Sequence, residues 1–105
     1  MTPLETLKAA RDLISDPARW TQFVQARDGH GTQVPHNDPT AHCFCIMGAV
    51  GRTAVQGNKM DALKVLSRVT RRNFDTSIPD YNDTHTHAEV LALFDAAIAE
   101  LEAIQ

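Results

Sequence analysis

The stretch DPTAHCFCIMGAVGR, residues 38–52, decides the fold of this 105-residue chain. No side chain between residues 43 and 50 is polar. Asp38 and Pro39 form the pattern of an N-cap followed by a proline at the first helical position. The stretch therefore predicts a helix over residues 39–55. Because a helix that is apolar on every side must be surrounded by other elements, we expect it to be the buried central helix of the fold.

The predicted central helix has one face of small residues. Ala41, Cys45 and Gly48 follow each other at spacings of four and three, which places them on the same side of a helix. Small side chains allow a neighbouring backbone to approach closely. We therefore expect another segment to pack tightly against this face.

Length and composition limit the possible classes of protein. A chain of 105 residues with 43% hydrophobic and 22% charged residues is typical of one globular domain, which we assign to residues 1–105. No apolar run approaches the roughly 20 residues that cross a bilayer, and the amino terminus lacks a signal-peptide pattern. We expect a cytoplasmic protein without membrane contact, whose two cysteines remain thiols.

Charge is distributed unevenly along the chain. Residues 75–105 contain seven acids and no Lys or Arg, whereas residues 1–74 contain ten bases and six acids. The two parts sum to −7 and +4, which gives the net charge of −3. This asymmetry favours internal charge pairing or a partner surface over a nucleic-acid mimic.

Capping patterns predict the first and last helices. Thr2-Pro3 with Glu5 indicates a helix over about residues 3–15, and Thr86 with Glu89 indicates a helix that begins near His87. Between them, Asn58 opens a third helical pattern, for which we expect a buried stripe of Met60, Leu63, Leu66 and Val69. Residues 74–83 are expected to be irregular.

A hairpin is expected near residues 23–34. Residues compatible with β structure lie on both sides of Asp28-Gly-His-Gly31, and two glycines in four residues suit positive φ angles. Trp20, just before this segment, is expected to cover the core with its ring N–H hydrogen-bonded. The fold class is thus mainly α, a small domain of about four helices around the central helix, with a short hairpin.

The third predicted helix carries a basic ridge. Its members are Lys64, Arg68, Arg71 and Arg72. The simpler interpretation is a solvated face paired with the acidic carboxyl-terminal helix, and the functional one is a surface for a polyanion or a partner protein. A domain that binds nucleic acid specifically usually has a more basic overall charge, so nucleic acid is the less favoured partner.

Two cysteines and two histidines are candidates for nucleophilic catalysis or metal binding. Cys45 could be a nucleophile with His85 or His87 as base and with Asn82 or Asp83 as orienting group. The simpler interpretation is a thiol packed inertly in an apolar segment. A metal site would use both imidazoles with Cys43 and Cys45, but their Cys-x-Cys and His-x-His spacings do not converge on one ion. We therefore expect no metal and no cofactor.

The polar stretch Tyr81-Asn-Asp-Thr84 has two interpretations. Such residues commonly form Asx turns and helix caps, which is the simpler one. The functional interpretation is a small-molecule pocket formed by a few polar and aromatic side chains. Its members would be Trp20, Tyr81, Asn82, Asp83 and His85.

Several of these residues together resemble a known pattern. The order of Trp20, Cys45-x-x-Gly-Ala49, an aromatic residue followed by Asn82-Asp83, and Glu89-Val-Leu91 is similar to a family of small bacterial and phage proteins catalogued only as a domain of unknown function. In that pattern the aromatic residue is often Trp, so Tyr81 is a departure. The resemblance implies no known reaction, but it groups Cys45 with the Asn-Asp pair.

The sequence favours a small non-enzymatic binding or interaction protein with a protein partner. The resemblance adds the possibility of an accessory protein of a phage or mobile element that acts on a host partner. The alternatives are a cysteine-dependent hydrolase or transferase that uses Cys45, and a small-molecule-binding module.

Overall fold

Helices dominate the fold in the computed structural model, which describes residues 2–54 and 58–104. Within these residues there are five α-helices, one 3-10 turn at Pro17–Arg19, and one antiparallel pair of strands. The helices are α1 (Pro3–Leu13), α2 (Ile46–Thr53), α3 (Asn58–Phe74), α4 (Ile78–Thr84) and α5 (His87–Ala103), and the strands are β1 (Ala26–Arg27) and β2 (Cys43–Phe44). The predicted mainly-α class is confirmed, with one helix more than expected.

Both predicted capping boxes are present. The Thr2 side chain accepts a hydrogen bond from the backbone N–H of Glu5, and the Glu5 carboxylate accepts one from the N–H of Thr2. Thr86 and Glu89 make the same exchange at the start of α5. The pKa of each glutamate is lowered, mainly by the hydrogen bond from the backbone N–H of the capping threonine and then by the bond to its side chain. Each box satisfies N–H groups that a helix leaves unpaired at its amino end.

The central helix is much shorter than predicted, so the range 39–55 was wrong. Asp38 does not cap a helix; its carboxylate accepts hydrogen bonds from the backbone N–H and the hydroxyl of Thr40, which closes a local turn. Residues 42–45 are extended beside the segment that contains β1. The helix begins at Ile46, with Cys45 as its N-cap, and Ala54 is its C-cap. The final predicted residue, 55, lies outside the described residues.

The predicted hairpin over residues 23–34 is present only as a tight turn. Asp28 N–H donates to the carbonyl of Thr32, and Val34 N–H donates to that of Ala26. A single bridge joins Arg27 and Gln33, whereas the regular partner of β1 is β2. The pairing is therefore between distant segments, and it fixes residues 20–28 against the start of α2.

Residues 74–83 are not irregular, because most of them form α4. Ser77 is the N-cap and accepts a hydrogen bond from the N–H of Asp80, and Pro79 lies in the first turn. Ile78 and Tyr81 from this helix are buried in the core. The helix thereby brings Asn82 and Asp83 to face the segment that follows Trp20.

One side of α2 is buried in the core, as the sequence predicted for the central helix, whereas Arg52 is exposed. Ile46, Ala49 and Val50 are fully buried, and α2 packs against α1, α3 and α4. Leu63, Leu66 and Val69 of α3 are buried as expected, but Met60 is 60% exposed, so its place in the buried stripe was wrong. None of the helices in the described residues is long and apolar enough to span a membrane.

Candidate functional site

Asn82 is the centre of a buried hydrogen-bond network. Its side-chain oxygen accepts from the indole N–H of Trp20 at 2.9 Å and from the backbone N–H of Ile46 at 3.1 Å. Its amide nitrogen donates to the carbonyl of Thr21 and to the Asp83 carboxylate, both at 3.1 Å. The two donors cannot accept, so they fix which end of the amide carries the oxygen. The network joins α4, the amino end of α2 and the Trp20 segment.

Trp20 has the structural role that the sequence predicted. Its ring is half-buried against the core and its N–H is bonded to Asn82.

Tyr81 and His85 stack with ring centroids 3.7 Å apart, and the His85 ring nitrogen Nδ1 is 2.9 Å from the Tyr81 carbonyl. Burial raises the pKa of Tyr81. The predicted pocket residues thus make pairwise contacts, but the described lining of the depression that contains Asn82 and Asp83 lacks Trp20, Tyr81 and His85, and a ligand at these residues stays a prediction.

Asp83 holds Phe23 in an unusual backbone conformation. Phe23 has a φ of 75°, a region that bulky residues rarely occupy, and its side chain is 72% exposed. One oxygen of the Asp83 carboxylate accepts a hydrogen bond of 2.8 Å from the Phe23 N–H. Such strain persists only where neighbouring structure enforces it. Here the enforced conformation directs a large apolar side chain into solvent.

Cys45 is a buried N-cap. The thiol is at the amino end of α2, where its sulfur accepts a hydrogen bond of 3.3 Å from the N–H of Gly48. The Cys45 residue is 8% exposed, and burial raises the pKa of its thiol despite these backbone N–H groups. A nucleophilic cysteine needs a lowered pKa and access to solvent. The environment of Cys45 therefore favours packing and capping.

The histidines expected to serve a catalytic cysteine bond to other groups. His87 Nε2 lies 2.6 Å from the carbonyl oxygen of Ile14, and its ring packs beside Trp20. Neither His87 nor His85 hydrogen-bonds to Cys45 within residues 2–54 and 58–104. In the same residues no three His, Cys, Asp or Glu side chains form a group that could hold a metal ion. Cys43, on β2, is a free thiol whose sulfur is near the Arg27 carbonyl.

We expect iodoacetamide to label Cys45 slowly in the folded protein. In a Cys43→Ala variant, which leaves one thiol, labelling should be at least about tenfold slower than for the same chain in denaturant, because the buried thiol is mostly protonated and shielded. Mass spectrometry of timed samples from pH 6 to pH 10 measures this. Rapid labelling with a midpoint well below pH 8.5 would instead support the nucleophile.

A surface groove of about 370 Å³ lies between α2, α3 and α4. Its apolar lining consists of Met47, Met60, Leu63, Ile78 and Pro79. A second depression, of about 110 Å³, adjoins the groove, since Met47 and Pro79 line both. Phe23, Cys45, Asn82 and Asp83 are also in its lining. We call the surface of these two adjoining hollows, defined by Phe23, Met47, Pro79 and Met60, the apolar face.

The basic ridge divides into two pairs at neighbouring positions on one face of α3. Arg68 and Arg72 both pair with Glu100 of α5, at 3.3 Å and 2.8 Å, as the sequence interpretation of internal pairing expected. The hydrogen bond from Arg72 is the main cause that lowers the pKa of Glu100. Lys64 and Arg71 line the groove instead and have no ion-pair partner among the described residues. The groove therefore has an apolar floor and a cationic edge.

The apolar face could not be found from the sequence. The sequence pattern predicts a hairpin strand at Phe23 and a buried stripe at Met60, because an apolar residue at the regular spacing is usually buried. The four residues that define the face come from three helices and a loop. Only their arrangement in space makes them neighbours.

The fold and this face define a small helical domain with an open apolar surface. The chain belongs to the family described as a family of unknown function (DUF6197), whose model matches residues 1–100. The family resemblance noted from the sequence is thereby confirmed. No curated protein and no solved structure matches the chain significantly.

Proposed function

We propose that this chain is a non-enzymatic binding protein that holds a partner protein on the apolar face. The observation that carries the proposal is the groove, where apolar side chains remain accessible beside two cations without ion-pair partners among the described residues. Contiguous exposed apolar surface with a polar edge is typical of protein interaction sites. Met60 and Phe23 are 60% and 72% exposed, which makes them accessible anchors.

Two features of the face support a protein partner over the other candidates. The groove, of about 370 Å³, is at the small end of the roughly 300–1,000 Å³ typical of small-molecule sites and has the exposed Met60 on its lining, and the depression beside Cys45, of about 110 Å³, is below that range. The raised pKa of Cys45 disfavours thiol chemistry there. An accessory role for a phage or mobile element rests on the family resemblance alone. A cytoplasmic location likewise remains a prediction.

A matched pair of variants tests the proposal. Phe23→Gln combined with Met60→Gln removes two exposed apolar side chains from the face, whereas Ile104→Gln removes one that is 73% exposed at the end of α5. We expect the double variant to capture its partner from cell lysate at least about tenfold less well than wild type, since a few central apolar residues dominate binding energy. The Ile104→Gln variant should capture it as wild type does.

Quantitative mass spectrometry of the captured proteins measures the difference, and circular dichroism checks that each variant is folded. Exposed residues contribute little to stability, so all three proteins should unfold within a few degrees of one another. The proposal is wrong if every captured protein binds the double variant and the wild type equally.

A further inference from the structure

The cations of the groove have a regular spacing along α3. Lys64 and Arg71 are seven residues apart, which is two helical turns, or about 10 Å along the axis. Met60, Leu63 and Ser67 occupy the same side of the helix and line the same groove. An occupant of the groove therefore meets apolar surface alongside two positive charges, which Ser67 separates along the helix.

These two charges differ from the other cations of the ridge. Glu100 already pairs with Arg68 and Arg72, whereas no acidic side chain is among the described residues that line the groove. A net charge of −3 for the whole chain argues against nucleic acid as the occupant. The positive charges of Lys64 and Arg71 favour a partner with a few carboxylates at fixed positions.

We propose that the groove binds an acidic amphipathic helix of a partner protein. This inference rests on the proposed function and names the chemistry of the partner. The helix would carry two carboxylates seven residues apart, facing Lys64 and Arg71, with apolar side chains three or four residues from each that enter the groove. An amphipathic helix in an apolar groove is a common mode of peptide recognition. The apolar contacts supply affinity, and the charges fix orientation and specificity.

A display library of random 16-residue peptides is the probe. Peptides are selected on the wild-type protein, and their binding is measured by fluorescence anisotropy against two charge variants. Lys64→Gln with Arg71→Gln removes the cations of the groove. Arg68→Gln with Arg72→Gln removes the same number of charges from neighbouring positions of α3, where they pair with Glu100, and serves as the control.

We expect enriched peptides with acidic pairs at a spacing of seven and apolar residues between them. Their affinity should fall at least about tenfold in the groove variant and less than about threefold in the control. An equal loss in both variants would mean that overall charge, and not this site, attracts the peptides, and that would overturn the inference.

The failure of the inference and the failure of the proposed function give different results. Peptides that lack the acidic pair, but lose binding when Phe23 and Met60 are replaced by Gln, would overturn the acidic helix and leave the apolar face as a binding site. If no selected peptide loses binding in either the Phe23 and Met60 variant or the Lys64 and Arg71 variant, both proposals are wrong. Acidic pairs three residues apart would indicate an extended occupant and would also overturn the helix.

Discussion

Replacing Gly48 with alanine is expected to lower the free energy of unfolding by about 3 kcal/mol, at the upper end for overpacked sites. A Cβ atom at this position would lie 2.0 Å from the carbonyl oxygen of Gln25 and 2.9 Å from its carbonyl carbon. Both are backbone atoms, so no side-chain rotation relieves the clash. The segment that contains β1 would have to move away from α2.

That movement would also break a hydrogen bond. The same Gln25 carbonyl accepts from the N–H of Cys45, at 3.1 Å, and this bond ties the extended segment before α2 to the strand region. Its loss would leave a buried N–H group without a partner, which adds to the cost of the clash. Thermal unfolding by circular dichroism should show a decrease of more than 10 °C for a domain of this size.

Gly51 in the same helix provides the matched control. A Cβ atom there would lie 2.8 Å from Nε2 of His36, at the far end of a side chain that can rotate away. Alanine also favours a helix over glycine by about 1 kcal/mol, which offsets the contact. Gly51→Ala should therefore change stability by less than about 1 kcal/mol. Equal effects of the two substitutions would contradict the role of the Gln25 contact.

The contrast between Gly48 and Asp38 shows what the sequence could predict around α2. The close backbone approach at Gly48 was predicted, but the shared helical face of Ala41, Cys45 and Gly48 was wrong, because α2 begins only at Ile46. Asp38-Pro39 was misinterpreted because the same residues suit an N-cap and an Asx turn. The choice between them depends on residues 25–27, which pair with residues 43–45 across a long stretch of chain.

An apolar run is also ambiguous between a strand and a helix. Residues 43–50 contain the end of the extended segment and most of α2, and nothing in their hydrophobic pattern marks the change at Cys45. In α4 a signal was present, since Ser77 followed by Ile-Pro-Asp80 suits a helix start. Seven residues are too few to show a clear period, so the helix was missed.

The candidate site was partly predictable, because some of its contacts follow from the hydrogen-bonding needs of single residues. A lone tryptophan needs a partner for its N–H, so the hydrogen bond of Trp20 could be expected, and polar residues near Asn82 could be expected to satisfy backbone groups. The groove could not be predicted from the sequence, because it is a gap between α2, α3 and α4. Its depth depends on how these helices pack, which no local pattern specifies.

Asn82→Ala is expected to lower the free energy of unfolding by about 4 kcal/mol, since it removes several partners of buried groups at once. Asn82 is 1% exposed and lies between three segments. Without its oxygen, the N–H of Ile46 at the start of α2 and the indole N–H of Trp20 both lose their acceptor. Without its nitrogen, the Thr21 carbonyl loses a donor.

Chemical denaturation with fluorescence of the lone tryptophan measures this effect directly, because Trp20 reports on its own surroundings. Asn73→Ala is the control, since Asn73 is exposed on α3 and its side chain hydrogen-bonds only with Arg72 in the described residues. Its substitution should change stability by less than about 0.5 kcal/mol. A loss below about 1 kcal/mol for Asn82→Ala would contradict the central role of the amide.

Asn82→Asp separates the two functions of the amide, because a carboxylate keeps the acceptor and loses the donor. Above about pH 6 the new charge would face the Thr21 carbonyl and the Asp83 carboxylate, and burial would disfavour it further. The pKa of the new carboxyl group in the folded state would then exceed its unfolded value of about 3.9. The folded state binds the proton more tightly, so the deficit relative to wild type should shrink as the pH falls from 7 towards 4. Urea titrations of both proteins across this range measure that difference, and a deficit independent of pH would contradict the raised pKa of the buried carboxyl group.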